Sequence, residues 1–259
     1  MSKIIAVHSY KGGTGKTILS VNLAATLAKQ GKKVAIFDLD FRAPSLFAIL
    51  RCEKARVWLN DYLNDKCGIN DVLVDLSSRI TGNGKLHAGL ANPSIIAMKD
   101  MTTKDRQWEM HALTHITSLK KKLIDEQKFD YIVFDTSPGI QYSSMNAIVA
   151  ADFVVVTTTG DRSDITGTKS MLSEFYKLFE TKTGLVMNKV LDEEARSNNP
   201  EYVKKIKETY KVPLLGVVPC FCEVLKAGGQ YLFPEDKPDH PFTQLLHEMA
   251  NKIEKNDVH

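Results

Sequence analysis

Short apolar runs alternate with amphipathic stretches along almost the whole chain. Residues 4–7 form a strand-like run, residues 18–29 a helical pattern, and residues 33–37 the next strand. Further runs at 129–134, 153–157, 184–187 and 214–218 are short and apolar, the length of strands buried on both faces. Helical patterns fill 103–127, 143–150, 165–179 and 200–209 between them. This alternation predicts an α/β fold, with a mostly parallel central sheet and helices on both faces. Residues 77–85 (SSRITGNGK) and 192–200 have the Gly, Asn, Ser and Pro content of loops. No linker, internal repeat or low-complexity tract interrupts the pattern, so residues 1–259 are expected to form a single domain.

Chemistry enters directly after the first run. Tyr10-Lys11-Gly12-Gly13-Thr14-Gly15-Lys16-Thr17 lies between the strand at 4–7 and the helix at 18–29. Glycines let backbone N–H groups curl around phosphate oxygens with no Cβ in the way. The start of the helix adds its partial positive charge. Lys16 is placed to reach the β- and γ-phosphates, and the Thr17 hydroxyl to bind Mg²⁺. Gly12, Gly13, Thr14, Gly15, Lys16, Thr17 and Ile18 are therefore candidate nucleotide contacts in a P-loop NTPase domain. The strict pattern has glycine at position 10, where this chain has Tyr10.

Three aspartates stand where a P-loop sheet would need them. Asp38 and Asp40 follow the strand at 33–37, and Asp135 follows the apolar run at 131–134. Carboxylates at the C-terminal ends of parallel strands face the ligand crevice. They can hold Mg²⁺ through its waters, and one can orient an attacking water. Thr17, Asp38, Asp40 and Asp135 are the metal-site candidates; capping of a following helix is the other role open to a strand-end aspartate.

KGGTGKT, with its second lysine at Lys11, resembles the deviant Walker A motif of the MinD/ParA ATPases. Asp38-Leu39-Asp40 is similar to that family's D-x-D, and Asp135-Thr136-Ser137-Pro138-Gly139 to its D-x-x-P-G. The resemblance implies ATP and Mg²⁺ as cofactors and a slow ATPase that forms a homodimer when ATP-bound. It implies catalytic roles for Lys11, Lys16 and Asp40, with Lys11 reaching the partner's phosphates and Asp40 positioning the hydrolytic water. It also implies that Asp38 supports the metal, that Asp135 is the Walker B residue, and that Gly139 lies near the γ-phosphate. Asn188 resembles the family's adenine-contacting asparagine, and Pro219 lies in the loop expected to pack on the base. A buried amide can pair with both a donor and an acceptor on adenine. A lysine brought beside phosphates stabilises charge that develops in the transition state.

Composition narrows the partners. Of 259 residues, 43% are hydrophobic and 25% charged, enough for a sizeable core. The net charge of +3, from 34 basic and 31 acidic residues, is too slight to imply nucleic acid or an acidic membrane. Lys120, Lys121 and Lys122, and Lys204, Lys205 and Lys207, sit among Asp125, Glu126, Glu201 and Glu208 and read as solvated faces. Weak non-specific DNA binding by a dimer stays open, because phosphate contacts from two subunits add. Phe242, Leu245, Leu246, Met249 and Ile253 share one helical face opposite Glu248, Lys252, Glu254 and Lys255, which suits docking on the core rather than a stable membrane anchor. No leader or long apolar run is present, and four cysteines make no disulfide framework, so a cytoplasmic location is expected.

Asp40-Phe41-Arg42-Ala43-Pro44-Ser45 resembles the Mrp-type and bacterial tyrosine-kinase branches of the family. The kinase branch carries a C-terminal tyrosine cluster, whereas the last tyrosine here is Tyr231. The Mrp-type carriers have C-x-x-C, whereas Cys220-Phe221-Cys222 has one residue between its thiols. Two such pairs from two protomers could still supply four thiolates to zinc or a cluster. The expected function is an ATP-driven switch that positions a cargo or partner. The alternatives are a metal or iron–sulfur carrier using Cys220 and Cys222, and a nucleotide-dependent metabolic enzyme of the same superfamily.

Overall fold

A computed structural model describes residues 2–52, 55–178, 182–191 and 199–255. Its strands are β1 (Lys3–His8), β2 (Lys33–Leu39), β3 (Leu73–Asp75), β4 (Lys85–Gly89), β5 (Tyr131–Thr136), β6 (Phe153–Thr158), β7 (Lys182–Val190) and β8 (Leu214–Pro219). They form one sheet in the order β3-β4-β2-β5-β1-β6-β7-β8. Every neighbouring pair is parallel except β3 with β4. The helices are α1 (Lys16–Lys29), α2 (Leu46–Ile49), α3 (Leu59–Leu63), α4 (Ile69–Val72), α5 (Ile95–Thr102), α6 (Arg106–Leu119), α7 (Tyr142–Ala150), α8 (Arg162–Ser170), α9 (Pro200–Tyr210), α10 (Cys222–Ala227), α11 (Phe233–Asp236) and α12 (Pro241–Lys255).

The absence of polar alternation in β1 has a direct cause. Ile4 and Ala6 join one core cluster with Ile116 of α6, Ala147 of α7 and Ile206 of α9. Ile5 and Val7 join the other, with Leu23 of α1 and Leu246 of α12. Successive side chains point to opposite faces, and both faces are covered, so the middle of the strand, residues 4–7, is apolar throughout. The expected docking of the last helix is observed: Phe242, Leu246, Met249 and Ile253 of α12 are buried. Among the described residues, no helix is long and apolar enough to cross a membrane.

Several boundaries differ from expectation. The expected loop at 77–85 contains a short 3₁₀ turn, Ser77–Arg79, and its last residue already opens β4. The expected helix 103–127 starts only with α6, after Asp105, whose carboxylate accepts the Trp108 N–H at 2.8 Å, and it widens to a π-helical turn over Lys120–Glu126. Both β2 and β5 run two residues further than their apolar cores, so Asp38 and Asp135 lie inside strands rather than after them. Residues 192–198 of the second expected loop, Phe179 at the end of the expected helix 165–179, and residues 256–259 lie outside the described residues.

Candidate functional site

Sheet order brings the carboxylates together. β5 lies between β2 and β1, and the parallel register sets Asp135 level with Asp38 on one side and Val7 on the other. Both aspartates are fully buried. Asp135 Oδ1 accepts the Ser20 hydroxyl of α1 at 2.9 Å, while Oδ2 is buried without a hydrogen-bond partner. Burial pushes the Asp135 pKa up to about 6, against the pull of the Thr17 and Ser20 hydroxyls and of Lys16. An orphaned buried carboxylate oxygen beside a threonine hydroxyl is a donor set that fits a hard divalent cation. Lys16 is itself buried, and desolvation lowers its pKa against the attraction of Asp135 and Asp40.

Asp38 and Asp40 are used differently. Asp38 Oδ1 accepts the Asp40 N–H, and Oδ2 accepts the N–H groups of Ser45 and Leu46, all at 3.1 Å. It therefore shapes the loop between β2 and α2. Burial and the neighbouring Asp135 still raise its pKa well above the usual carboxylate value. Asp40 is less buried; its Oδ1 accepts the Ala43 N–H at 3.2 Å and the Ser137 hydroxyl at 3.1 Å, linking the loops after β2 and β5.

The Gly-rich loop is held from outside. Gly13 and Gly15 have φ of 79° and 93°, the left-handed region that glycine enters freely. A Cβ on Gly15 would lie 2.5 Å from Asn188 Nδ2. That amide donates to the Thr14 carbonyl at 2.7 Å, and Lys189 Nζ donates to the Gly13 carbonyl at 2.7 Å. A cavity of about 230 Å³ runs from Gly15 and Ile18 past Asn188 to Pro219 and Phe221. Its mostly apolar wall with a single amide suits a flat heteroaromatic ring. A wider groove of about 810 Å³ lies on the other side of the loop, between Lys11 and α9.

Under the loop lies a buried histidine. His8 Nε2 donates to the Gly139 carbonyl at 3.0 Å, and Nδ1 accepts the Tyr176 hydroxyl at 2.7 Å; the carbonyl can only accept, which fixes the tautomer. Burial pushes the His8 pKa down to about 4, so the ring is neutral at physiological pH. Gly139 has φ of 72° and donates its N–H to the Ser9 carbonyl at 2.8 Å. Lys11 stands at the surface, where Nζ contacts Asp161 Oδ1 at 3.2 Å and Ser163 Oγ at 3.0 Å. Asp161 also caps α8, and its hydrogen bonds, first from Ser163, hold its pKa below the usual carboxylate range.

The structure thus gathers Lys11 to Ile18, Asp38, Asp40, Asp135 and Gly139 around one loop, with Asn188 and Pro219 on the adjoining cavity. Sequence reasoning missed Ser20, Ser137, Lys189, Asp161 and His8. The first two follow known helix and strand spacings and were legible in principle; the others meet the loop only through tertiary contacts. Cys220 sits in the wall of the smaller cavity, while Cys222 is exposed at the start of α10. Lys120 pairs with Asp152 at 2.6 Å, Lys122 donates to the Tyr62 hydroxyl at 3.1 Å, and Lys204 lies 4.0 Å from Glu208.

Comparison with known proteins places this geometry. Residues 2–192 match the AAA-domain family model. The septum site-determining protein MinD of Synechocystis is 29% identical over 100% of this chain and 91% of its own length. An uncharacterised ATP-binding protein of Methanocaldococcus jannaschii is 31% identical over 98% of this chain and 88% of its own. Among solved structures, MinD of Pyrococcus horikoshii complexed with Mg-ADP superposes with a TM-score of 0.77 at 23% identity, covering 99% of this chain and 98% of the other. A putative plasmid partition protein of Borrelia burgdorferi bound to AMPPNP gives 0.76 at 19% identity, covering 99% and 100%. In sequence and in fold alike, the chain is a member of the MinD/ParA family of P-loop ATPases.

Proposed function

We propose that the chain is an ATP-driven dimer switch that positions a cargo or partner. The carrying observation is the place of Lys11: it belongs to the phosphate loop, yet its ammonium lies at the surface against Asp161 rather than inside the cradle. In a face-to-face dimer each Lys11 would leave Asp161 for the other subunit's phosphates. Tyr10, Ile140 and Tyr142 are exposed apolar side chains beside the same loops, an edge suited to burial against a second copy.

The proposed roles follow from the chemistry of each group. Backbone N–H groups of residues 12–17 and Lys16 would hold the phosphates, and Asn188 with Pro219 the adenine. Thr17 and Asp135 would hold Mg²⁺, which when bound neutralises charge on the phosphates. Asp38 acts as a positioning residue for the loop that carries Asp40. Asp40 would orient the attacking water. Loss of the γ-phosphate would release Gly139 and the Asp40 loop, a recurrent means of switching. MinD of Aquifex aeolicus has been solved in complex with MinC, which supports a protein partner for this chain as well.

Two variants test the reading. Lys16→Ala should lose nucleotide binding. Asp40→Ala should bind ATP, hydrolyse it far more slowly and accumulate as a dimer in light scattering. An Asp40→Ala protein that binds ATP and stays monomeric would reject the dimer switch.

A further inference from the structure

A second cluster of ligating side chains lies apart from the nucleotide loop. His111 and His115 sit four residues apart on α6, hence on one face of the helix. Asp65 faces them from the turn after α3. His111 Nε2 lies 3.0 Å from Asp65 Oδ2, His115 Nε2 lies 3.0 Å from Asp65 Oδ1, and the two Nε2 atoms are 3.4 Å apart. Among the described residues, this is the one group of three His, Cys, Asp or Glu side chains whose ligating atoms converge. We propose that Asp65, His111 and His115 bind one divalent transition-metal cation of the zinc class, tying α6 to the turn after α3.

Geometry carries the assignment. Zinc–nitrogen and zinc–oxygen bonds of about 2.0–2.1 Å at tetrahedral angles put ligand atoms roughly 3.3 Å apart. The two Nε2 atoms, 3.4 Å apart, match that figure, and each stands 3.0 Å from one oxygen of the Asp65 carboxylate, which spans the pair. Two imidazoles and one carboxylate are the mixed donor set that zinc accepts, and Asp65 and His111 are exposed, so a water can complete the tetrahedron. Without a cation, two imidazole nitrogens in contact must share one carboxylate. His115 Nδ1 is buried with no partner, so all the polar bonding of that ring falls on Nε2, at the cluster.

The surroundings fix the donors in place. Asp65 adopts φ of 56°, a left-handed turn conformation that aspartate tolerates better than most residues. Its neighbour Asn64 accepts the Trp108 indole N–H of α6 at 2.9 Å. The Tyr62 ring packs edge-on against His115 with centroids 4.9 Å apart, and its hydroxyl lies 3.1 Å from Ser118 Oγ. Rigid supports of this kind hold ligands ready for a metal. Ala112 follows His111, at the position where a helical H-E-x-x-H zinc enzyme has its glutamate base, so the site is a staple rather than a catalytic centre.

The test uses the full chain without an affinity tag, freed of nucleotide and Mg²⁺. Titration calorimetry with Zn²⁺ should give one site per chain, and Co²⁺ should show the visible bands of a tetrahedral complex. Both signals should survive in a Cys220→Ser/Cys222→Ser protein. Each should weaken by more than the roughly 10–100-fold that even an outer-shell change costs in His111→Ala and in Asp65→Asn. Both positions are exposed, and circular dichroism is the check that these variants fold. Zn²⁺ should also raise the melting temperature of the wild type and leave that of His111→Ala unchanged. Absence of a Zn²⁺ site in the wild type, or the same affinity in both variants, overturns the proposal and leaves a proton-shared His–Asp cluster.

Discussion

The ring of Tyr10 occupies the space that a side chain at Gly167 would fill: a Cβ on Gly167 would come within 2.0 Å of the Tyr10 ring. Gly167 lies inside α8, where alanine would ordinarily stabilise a helix by up to about 1 kcal/mol. The departure from glycine at position 10 is therefore paired with a glycine elsewhere. Gly167→Ala should destabilise the wild type, and should become neutral or stabilising in a Tyr10→Gly background. A double-mutant cycle by urea denaturation should show coupling of at least roughly 1 kcal/mol; additive effects would reject the pairing.

A resting contact for Lys11 predicts a second effect. Asp161→Asn keeps a good N-cap for α8 but removes the charge facing Lys11. With Lys11 held less firmly on its own subunit, ATP-dependent dimers should form at lower protein concentration than in wild type. Sedimentation across a concentration series reads this directly. An unchanged or weakened dimerisation curve would show that the contact does not restrain the lysine.

Asp135 makes a prediction about stability. Its folded pKa of about 6 lies above its unfolded value of 3.8, so the native state binds the proton more tightly between those limits. Its contribution is present below about pH 4 and is lost as pH rises to 6. Above that, the buried charge costs on the order of 2–3 kcal/mol in the absence of a cation. Asp135→Asn should melt higher than wild type at pH 7.5, with the gap closing toward pH 4. Mg·ADP should stabilise wild type more than the variant, which keeps the phosphate and base contacts but lacks the carboxylate for Mg²⁺. A variant less stable than wild type at neutral pH without ligand would contradict this account.

His8 works in the opposite direction. Its folded pKa of about 4 lies below its unfolded value of 6.5, so the unfolded chain takes up the extra proton. The stability it contributes is complete above pH 6.5 and declines as pH falls toward 4. Replacing it by Gln removes that titration. The slope of unfolding free energy against pH should become more negative between pH 4.5 and 6, by up to about 1.4 kcal/mol per pH unit. Equal slopes in wild type and variant would mean that His8 does not titrate as its burial implies.

The parts of the site legible in sequence are those set by local spacing. The glycine-rich loop and Asp38, Asp40 and Asp135 depend on short segments whose strand-loop-helix context is written in adjacent residues. Tyr10 was opaque because Gly167, the residue that makes room for it, belongs to a distant helix. His8 looks like any strand-terminal residue until β5 and the segment around Tyr176 close over it. In the fold, β3 and β4 went unrecognised because they are three and five residues long and include Asp75, Lys85 and His87. β4 is nonetheless fixed in the sheet, with Gly89 beneath the ring of Phe37, where a Cβ would lie 2.3 Å from that ring.

The grip of Asn188 and Lys189 on the carbonyls of Thr14 and Gly13 has a consequence for the field inside the loop. In a trans peptide the C=O and the following N–H point to opposite sides. Fixing the Gly13 oxygen outward turns the Thr14 N–H the other way, and fixing the Thr14 oxygen does the same for the Gly15 N–H. The cradle is therefore polarised for an anion before one arrives, and the rotation of those peptide planes is accomplished during folding rather than on binding. β7 sets the sign of the electrostatic potential at a loop that lies in another part of the chain.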